Sequence, residues 1–506
     1  MILQKEASIR IKICIISTFL WGILAHGIML FNKISFHDDA GLFYIGGTYP
    51  LGRWMLGVLE SISEWFWGNT TCSLPLFNGA ATLLFIAVSV AVLVELFEVK
   101  NKLAIVALSG TMAVFPAVTS TLGFMFTAPY YFLGTLFGVF GVALSCKAKK
   151  WYTYLAGIVL MGCAVGVYQA NIPVCVCIIL FYAIKKTAEK KHTDWKEFII
   201  LGIKSVVSCG GFMAVYFICN QIALRVTGSH LSDYQGINDM GQASVKTYLK
   251  RIFVAYREFF VPTDGTMGNM YPFSSNMAYK LFVLLLVILT VYLLYSYFRK
   301  EKWLGLQMAV FVVFVPLAVN FIYVMCDPNQ VDGIMAYGEV MVFVYAVWLI
   351  SRCMDGHRLV RRAGSATVIL VCVLAVMLAR FDNLCYLKAQ YMQTQGISYF
   401  TTLITQIKST EGFTQNTPVV YINEYGKYDY TTASIPEFKE IKLTPFEHSS
   451  ILNDYAWKIT MKMWCDFDPT LEDASEYENL PEVQEMPCYP DTGSIHMMDG
   501  VLIVKF

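Results

Sequence analysis

The chain has 506 residues and a formal net charge of +1, a length that would hold about three to four soluble domains. Its composition excludes that organisation, because 56% of the residues are hydrophobic, only 15% are charged, and mean hydropathy is +0.53. A soluble fold cannot hide so much apolar surface, and the near-neutral charge gives no indication of nucleic-acid binding. The sequence therefore predicts an integral membrane protein and excludes long disordered regions.

A membrane-spanning helix requires about 20 mostly apolar residues, and the hydropathy of this chain predicts about eleven such helices. They lie near residues 11–31, 77–97, 103–118, 129–146, 152–170, 171–184, 200–222, 278–298, 303–325, 334–351 and 364–383. We predict a tight hairpin within 152–184, because Asn171 and Pro173 interrupt the apolar run and proline ends a preceding helix.

The distribution of lysine and arginine among the predicted loops sets the orientation. One set of loops carries Lys5, Arg10, Lys12, Lys100, Lys102, Lys147, Lys149, Lys150, Lys185, Lys186, Lys190, Lys191, Lys196, Arg299, Lys300, Lys302, Arg352, Arg358, Arg361 and Arg362. The alternate short loops, near 119–128, 170–173 and 326–333, carry none. We therefore expect a cytoplasmic N-terminus, with loops 32–76 and 223–277 and the tail 384–506 on the outer face.

Both long outer loops contain a stretch with helical periodicity, which predicts helices lying in the membrane interface. The first apolar face consists of Leu51, Trp54, Met55, Val58, Leu59, Ile62 and Phe66. The second consists of Val245, Tyr248, Ile252, Phe253, Tyr256, Phe259 and Phe260.

The tail is more polar and predicts a small α/β domain over 384–506, separate from a membrane domain over 1–383. An amphipathic helix is expected at 388–409, and buried strands at 418–423 and 501–506. Cys465 and Cys488 would be able to form a disulfide outside the cell. Neither a P-loop nor a GxGxxG fingerprint occurs, so a soluble nucleotide-linked donor is not supported.

The clearest candidate for chemistry is the run His37, Asp38, Asp39, just after the first span. Three interpretations remain open. The pair of aspartates is a solvated turn, or His37 and one aspartate contribute to a metal site, or a carboxylate near the apolar boundary acts as a general base.

Four cations in the outer loops are candidates for binding a phosphate: Arg53, Lys250, Arg251 and Arg257. Alternatively, these cations anchor the interfacial helices at the membrane surface. Those of the second loop would then be attracted to anionic lipid. Trp54 is either an interfacial anchor or part of a substrate site. Tyr168 and Gln169 would either hydrogen-bond a sugar or satisfy the helix break that follows them.

These residues resemble a known family. The HDD at 37–39, the GRW at 52–54 and the YQ at 168–169 resemble the bacterial multi-pass glucosyltransferase family of the Gtr type II kind. The ending YPDTGSIHMMDGVLIVKF (489–506) is similar to clostridial members. The resemblance implies a GT-C-like fold in the bacterial cell membrane and a polyprenyl-phosphate-linked donor, with glucose as the sugar. Many members have serine or asparagine before the acidic pair, where this chain has His37.

The resemblance also implies roles for these residues. In GT-C enzymes the first outer loop carries an acidic catalytic residue, which here is Asp38 or Asp39. Arg53, with Lys250, Arg251 or Arg257, would stabilise the departing phosphate. His37, Trp54, Tyr168 and Gln169 would contact substrate. No cofactor is required, although a divalent ion such as Mg²⁺ or Mn²⁺ would be able to bridge an aspartate and the phosphate. The partners would be the lipid-linked donor, a cell-envelope glycan acceptor and the bilayer.

Two other functions compete with this hexosyltransferase. A transporter or flippase of lipid-linked sugars would typically show internal repeats and ionisable residues at mid-membrane depth. The chain has no evident repeat, and its predicted spans are nearly free of charge at their centres. A sensor or scaffold would explain the tail but not the two amphipathic loops.

Overall fold

The computed structural model describes residues 2–35, 38–40, 48–68, 73–232, 243–263, 273–353, 357–423, 435–447 and 456–506. The helices of its first part are α1 (Ile2–Phe31), α2 (Trp54–Trp67), α3 (Pro75–Leu96), α4 (Lys102–Val114), α5 (Pro116–Leu122), α6 (Ala128–Lys147), α7 (Trp151–Val167), α8 (Asn171–Ala188) and α9 (Trp195–Thr227). They are followed by α10 (Val245–Phe260), α11 (Phe273–Lys300), α12 (Lys302–Val312), α13 (Val315–Val319), α14 (Ile322–Met325), α15 (Met341–Cys353), α16 (Arg358–Ser409), α17 (Pro436–Lys439), α18 (Trp457–Cys465) and α19 (Pro481–Glu485). Three strands complete the fold: β1 (Val419–Ile422), β2 (Ile495–Met498) and β3 (Val501–Lys505).

The protein is a polytopic helical membrane protein, as its composition predicts. Among the described residues, nine helices are long and apolar enough to span a membrane, and the bent pair α4–α5 makes a tenth. The sequence predicted about eleven spanning helices. The structure differs from that prediction at 152–170, where α7 is an apolar helix of only 17 residues and is shorter than the other candidate spans. Tyr168 ends α7 in an extended conformation and Asn171 begins α8, so the chain does turn within 152–184.

The chain divides into two compact units. The membrane unit comprises Met1–Asn32 and Phe43–Asn383, and the tail unit comprises Lys33–Leu42 and Leu384–Phe506. The segment that carries the acidic pair is therefore grouped with the tail, whereas the sequence predicted a membrane domain that includes it.

Within the membrane unit, α8 and the segment Gly333–Cys353 form the centre. About four-fifths of their most apolar stretches is buried (78% and 83%), against 11% in α9. A helix that is apolar all round and buried lies inside a bundle, whereas an apolar but exposed helix presents its surface to lipid. The outer face of α9 is therefore a lipid-facing surface.

Small residues let α6 pack closely against its neighbours. A Cβ atom at Gly157 on α7 would lie 2.2 Å from the Ser145 hydroxyl and 2.5 Å from the Gly141 carbonyl oxygen. A Cβ at Gly138 would lie 2.9 Å from the Cys175 sulfur on α8. Close backbone approach at small residues is a common way for membrane helices to gain packing contacts. These contacts make α6, α7 and α8 one tightly packed group.

Basic helix ends gather at one end of the membrane unit, which we call the lysine-rich end. The buried Lys185 ammonium at the end of α8 donates to the Leu96 carbonyl (2.8 Å) and to Glu98 (2.7 Å) just after α3. Arg10 near the start of α1 forms two hydrogen bonds to Glu95, at 2.7 and 2.8 Å. The loops predicted to share one face are thus joined by ion pairs. Their placement in the cytoplasm stays a prediction.

The tail unit is a helix–sheet–helix sandwich. Its sheet has the order β1–β3–β2, with β3 parallel to β1 and antiparallel to β2. One face packs on the C-terminal half of α16 and on Trp457 of α18, and the other on Val483 of α19. The predicted strands are therefore present. The helix expected at 388–409 is instead the continuation of the last span, because α16 runs without a break through 52 residues. Cys465 and Cys488 are both free thiols.

Candidate functional site

The GRW sequence forms a tight turn that enters α2. The Gly52 amide donates to the Tyr49 carbonyl and the Arg53 amide to the Thr48 carbonyl, each at 2.9 Å. Gly52 has φ +68°, a left-handed conformation that favours glycine. A Cβ atom there would also lie 2.7 Å from the Tyr216 hydroxyl. Glycine is thus required at position 52 by both conformation and space, and the turn fixes where Arg53 leaves the backbone.

Arg53 is held by two stacked tyrosines. The rings of Tyr131 and Tyr168 are nearly parallel, with centroids 4.5 Å apart. The guanidinium carbon lies 5.0 Å from the Tyr168 centroid and 5.8 Å from that of Tyr131, and Nη1 donates to the Tyr131 hydroxyl at 2.8 Å. Cation–π contact and a hydrogen bond together orient the guanidinium group, which favours recognition of a planar or tetrahedral anion.

Gln169 and Trp54 support the same turn. The Gln169 amide donates to the Leu51 carbonyl (2.8 Å) and to the Tyr216 hydroxyl (3.1 Å). The Trp54 ring lies against Gly166 of α7, where a Cβ atom would approach it to 2.4 Å. The structure therefore brings GRW and YQ together, although Trp54 and Tyr168 are 114 positions apart in the chain. In this arrangement Gln169 and Trp54 position the loop that carries Arg53.

The second long loop contributes α10, the helix that its periodicity predicts. It buries Arg251, Ala255, Glu258 and Phe259 and leaves Phe253 exposed. Ala255 packs on α14, and its carbonyl accepts a hydrogen bond from Asn320 (3.0 Å). The helix thus turns polar side chains inward and much of its apolar face outward, as a helix does when its outer side meets lipid. Its interfacial location stays a prediction.

Arg251 is the buried cation of α10. Only 8% of its surface is exposed, and its Nε and Nη1 atoms have no hydrogen-bond partner within the part of the chain that the structure describes. Cys326 lies within electrostatic range of Arg251 and Asp332, and Tyr168 within range of Arg53, Asp332 and Cys326. Arg251 and Tyr168, the ring against Arg53, thus both lie near Cys326, and we call Arg53 and Arg251 together the arginine cluster. Burial raises the pKa of the Cys326 thiol to about 12, which keeps it neutral and unsuited to nucleophilic attack.

The two other predicted cations of α10 have different surroundings. Arg257 is an exposed side chain that donates through Nε to the buried Glu258 carboxylate at 2.9 Å. Glu258 also accepts from the Thr263 amide and hydroxyl, each at 2.7 Å. Lys250 is exposed. Of the phosphate candidates on α10, Arg251 is the one that is buried.

The acidic pair belongs to the tail unit, where the turn Asp38–Ala40 contacts α18. Asp39 is 2% exposed, and its carboxylate is bound by the Lys33 ammonium at 2.5 Å and the Ser35 hydroxyl at 3.3 Å. Asp38 is half-buried. The two carboxylates therefore differ in environment, which the sequence did not distinguish. His37 lies outside the described residues.

Sequence reasoning missed several residues around these sites. Tyr131 and Tyr216 lie on α6 and α9, and nothing local distinguishes them from other aromatic residues in apolar helices. Asp382 is fully buried near the end of the last predicted span, facing the Thr119 hydroxyl of α5. A carboxylate inside an apolar stretch is a sequence signal that could have identified Asp382 as a candidate functional residue.

The arginine cluster lies opposite the lysine-rich end. Tyr131 is at the start of α6 and Lys147 at its end, so about 24 Å of helix separates the two ends. A family model described as glucosyl transferase GtrII matches residues 27–343. The chain belongs to the GtrII glucosyl transferase family. No curated protein and no solved structure shows significant similarity to it.

The GtrII match includes the acidic pair, GRW, YQ and α10, and ends before the tail, so 489–506 lie beyond it. Glucosyl transfer is thereby the activity of the family to which this chain belongs. Within the described residues no three His, Cys, Asp or Glu side chains are grouped as a metal site requires. The described sites present guanidinium, carboxylate and tyrosine groups.

Proposed function

We propose that this GtrII protein transfers glucose from a polyprenyl-phosphate-linked donor to a cell-envelope glycan at the outer face of the bacterial cell membrane. The observation that carries the proposal is the arginine cluster, which offers guanidinium groups near the membrane boundary in a member of a glucosyl transferase family. Its position opposite the lysine-rich end supports the outer face, because lysine-rich ends are cytoplasmic in most membrane proteins.

The leaving group of such a donor is a lipid phosphate, on which negative charge grows as the glycosidic bond breaks. A preoriented cation placed at that charge stabilises the transition state more than the ground state. Arg53 is preoriented by Tyr131 and Tyr168, and a phosphate would satisfy the Nε and Nη1 donors of Arg251. We assign donor-phosphate binding to these two arginines. Arg257 and Lys250 remain candidates of lower rank, since Glu258 already pairs with Arg257.

The acceptor hydroxyl must lose a proton as it attacks the sugar carbon. A carboxylate held by a lysine accepts a proton poorly, because the cation favours its charged form. Asp39 is held in this way by Lys33, whereas Asp38 is more accessible. We therefore assign the general base to Asp38 and a positioning role to Asp39.

The proposal is tested by transfer of radiolabelled glucose in vesicles containing the full chain. The arms supply polyprenyl-phosphate glucose or a nucleotide-linked glucose, each with envelope glycans as acceptor. We expect transfer from the lipid-linked donor alone. Transfer from the nucleotide donor, or movement of the lipid-linked sugar across the bilayer with no transfer, would refute the proposal.

Asp38→Asn and Asp39→Asn test the base in the same assay. Asp38→Asn should reduce the maximal rate by about 10²- to 10⁴-fold while donor affinity is retained. Asp39→Asn should lower the thermal stability of the tail unit as well as the rate, because it weakens the bond to Lys33. Wild-type rates in the Asp38→Asn variant would reject this assignment.

A further inference from the structure

A cavity lies at the lysine-rich end, away from the arginine cluster. It has a volume of about 580 Å³ and lies between α6, α7, α8 and α9. That volume is within the range of ligand pockets, which is about 300–1,000 Å³. Nothing in the proposed transfer reaction uses it.

The charge of this cavity is strongly positive. Five lysines and one glutamate line it: Lys149, Lys150, Lys186, Lys190, Lys204 and Glu197. Two of the lysines are engaged, since Lys186 donates to Glu189 at 2.8 Å and Lys190 pairs with Glu197. The other three are exposed, and Lys150 lies 5.4 Å from the ring centre of Tyr152. The cavity therefore has a surplus of positive charge that is open to a ligand.

Its remaining wall is apolar and faces lipid. Ile200, Ile203 and Val207 of α9 line the cavity and are 40%, 57% and 51% exposed. Lys204 lies among them, about 14 Å along α9 from Trp195. A lysine on an apolar helix face extends its ammonium group toward the headgroup level while its methylene stem stays among apolar atoms. A cationic rim above an apolar wall matches an amphipathic anion.

The polar floor is ordered by hydrogen bonds. The Tyr154 hydroxyl shares a hydrogen bond of 2.8 Å with the Ser208 hydroxyl and donates to the Lys204 carbonyl at 3.3 Å. These bonds tie α7 to α9 beside the lysines. The close packing of Gly157 against Ser145 fixes α7 against α6 on the other side. The lysines of the α6–α7 turn and Lys204 are thus held around one space.

We propose that this cavity binds the headgroup of a membrane phospholipid with net negative charge, with its acyl chains along the exposed face of α9. Basic pockets between membrane helices are suited to such headgroups, and each lysine near a charged membrane surface raises the affinity by about fivefold. The occupant is a lipid and not a soluble phosphate, because the apolar wall opens to the hydrocarbon.

The test measures retention of phosphatidylglycerol by the purified full chain, using native mass spectrometry. A variant with Lys149→Gln, Lys150→Gln and Lys204→Gln should retain it about fivefold less tightly for each lysine removed. The matched control is Lys100→Gln, Lys102→Gln and Lys302→Gln, which removes the same charge from exposed sites that do not line the cavity. This control should bind as wild type does.

Two further arms separate the alternatives. Replacing the same three cavity lysines with arginine should preserve retention, which shows that the site has not simply unfolded. Phosphatidylcholine and free glycerol phosphate should both bind far more weakly than phosphatidylglycerol. Equal losses in the cavity and control variants, loss in the arginine variant, or equal binding of free glycerol phosphate would each overturn the proposal.

Discussion

The two ends of the membrane unit use charged side chains differently. At the lysine-rich end, Lys185 and Arg10 are neutralised by carboxylates of neighbouring helices. At the opposite end, Arg53 is held by aromatic rings, and Arg251 is buried with donor atoms that no described residue satisfies. Cations that are already paired stabilise helix packing, whereas the unused donors of Arg251 favour binding an anion. The comparison separates structural charge from charge available for function.

The pKa values of carboxyl groups also differ between the two ends. A hydrogen bond from Lys185 holds the pKa of Glu98 below its usual value. On α2, the helix that follows Arg53, burial and the neighbouring Glu64 raise the pKa of Glu60 to about 7. Acidification should therefore weaken the lysine-rich end and favour the fold around α2.

Within the membrane unit, the largest expected effect is at Arg53. Arg53→Ala should reduce glucose transfer by about 100- to 1,000-fold, because it removes a preoriented donor from the growing phosphate charge. The thermal stability of the Arg53→Ala variant should change little compared with its loss of transfer rate. Arg225→Ala is the matched control, since Arg225 is an exposed arginine at the end of α9. If the two variants transfer glucose at similar rates, the arginine cluster is not the donor site.

An intermediate effect is expected at Lys185. Lys185→Met should lower the free energy of unfolding by about 2 kcal/mol, because the Leu96 carbonyl and Glu98 lose a charged donor. Transfer per folded molecule should stay unchanged. Lys186→Met removes a half-exposed partner of Glu189 and should cost less than about 1 kcal/mol.

The same variant carries a pH signature that follows from Glu98. A carboxyl group whose pKa is lowered by folding stabilises the protein above its unfolded pKa, and this contribution is lost as pH falls through the folded pKa. Wild type should therefore lose stability on acidification, and Lys185→Met should lose less. Identical acid dependence in thermal unfolding would contradict the pairing.

The smallest effect is expected at Glu60 and has the opposite sign. A carboxyl group whose pKa is raised by folding destabilises the protein as pH rises from its unfolded value to about 7. Glu60→Gln should remove this loss, which we expect to be about 1 kcal/mol or less for a half-buried side chain near solvent. Glu64→Gln should remove a smaller part of the same loss of stability, because Glu64 contributes less than burial to the raised pKa of Glu60. Thermal unfolding at several pH values distinguishes these variants, and a Glu60→Gln profile equal to wild type would argue against desolvation at this site.

The sequence predicted the helical membrane fold, the helices of both long loops and the strands of the tail, because each depends on local periodicity. It also identified GRW and YQ, but not that Tyr131 and Tyr216 join them from α6 and α9. Such contacts between distant helices leave no local pattern. The burial of Arg251 and Glu258 by α10 is another such contact, which the amphipathic pattern of the helix does not indicate.

The most direct test of the account is the affinity of the purified protein for polyprenyl-phosphate glucose in wild type and in Arg251→Gln. Lys246→Gln serves as control, since it removes an exposed cation from the same helix. Loss of a hydrogen-bonded charge is worth about 1.5–3 kcal/mol, so Arg251→Gln should bind the donor at least about tenfold more weakly. The control should match wild type. Equal affinity in Arg251→Gln and wild type would contradict the assignment of the donor phosphate to the arginine cluster.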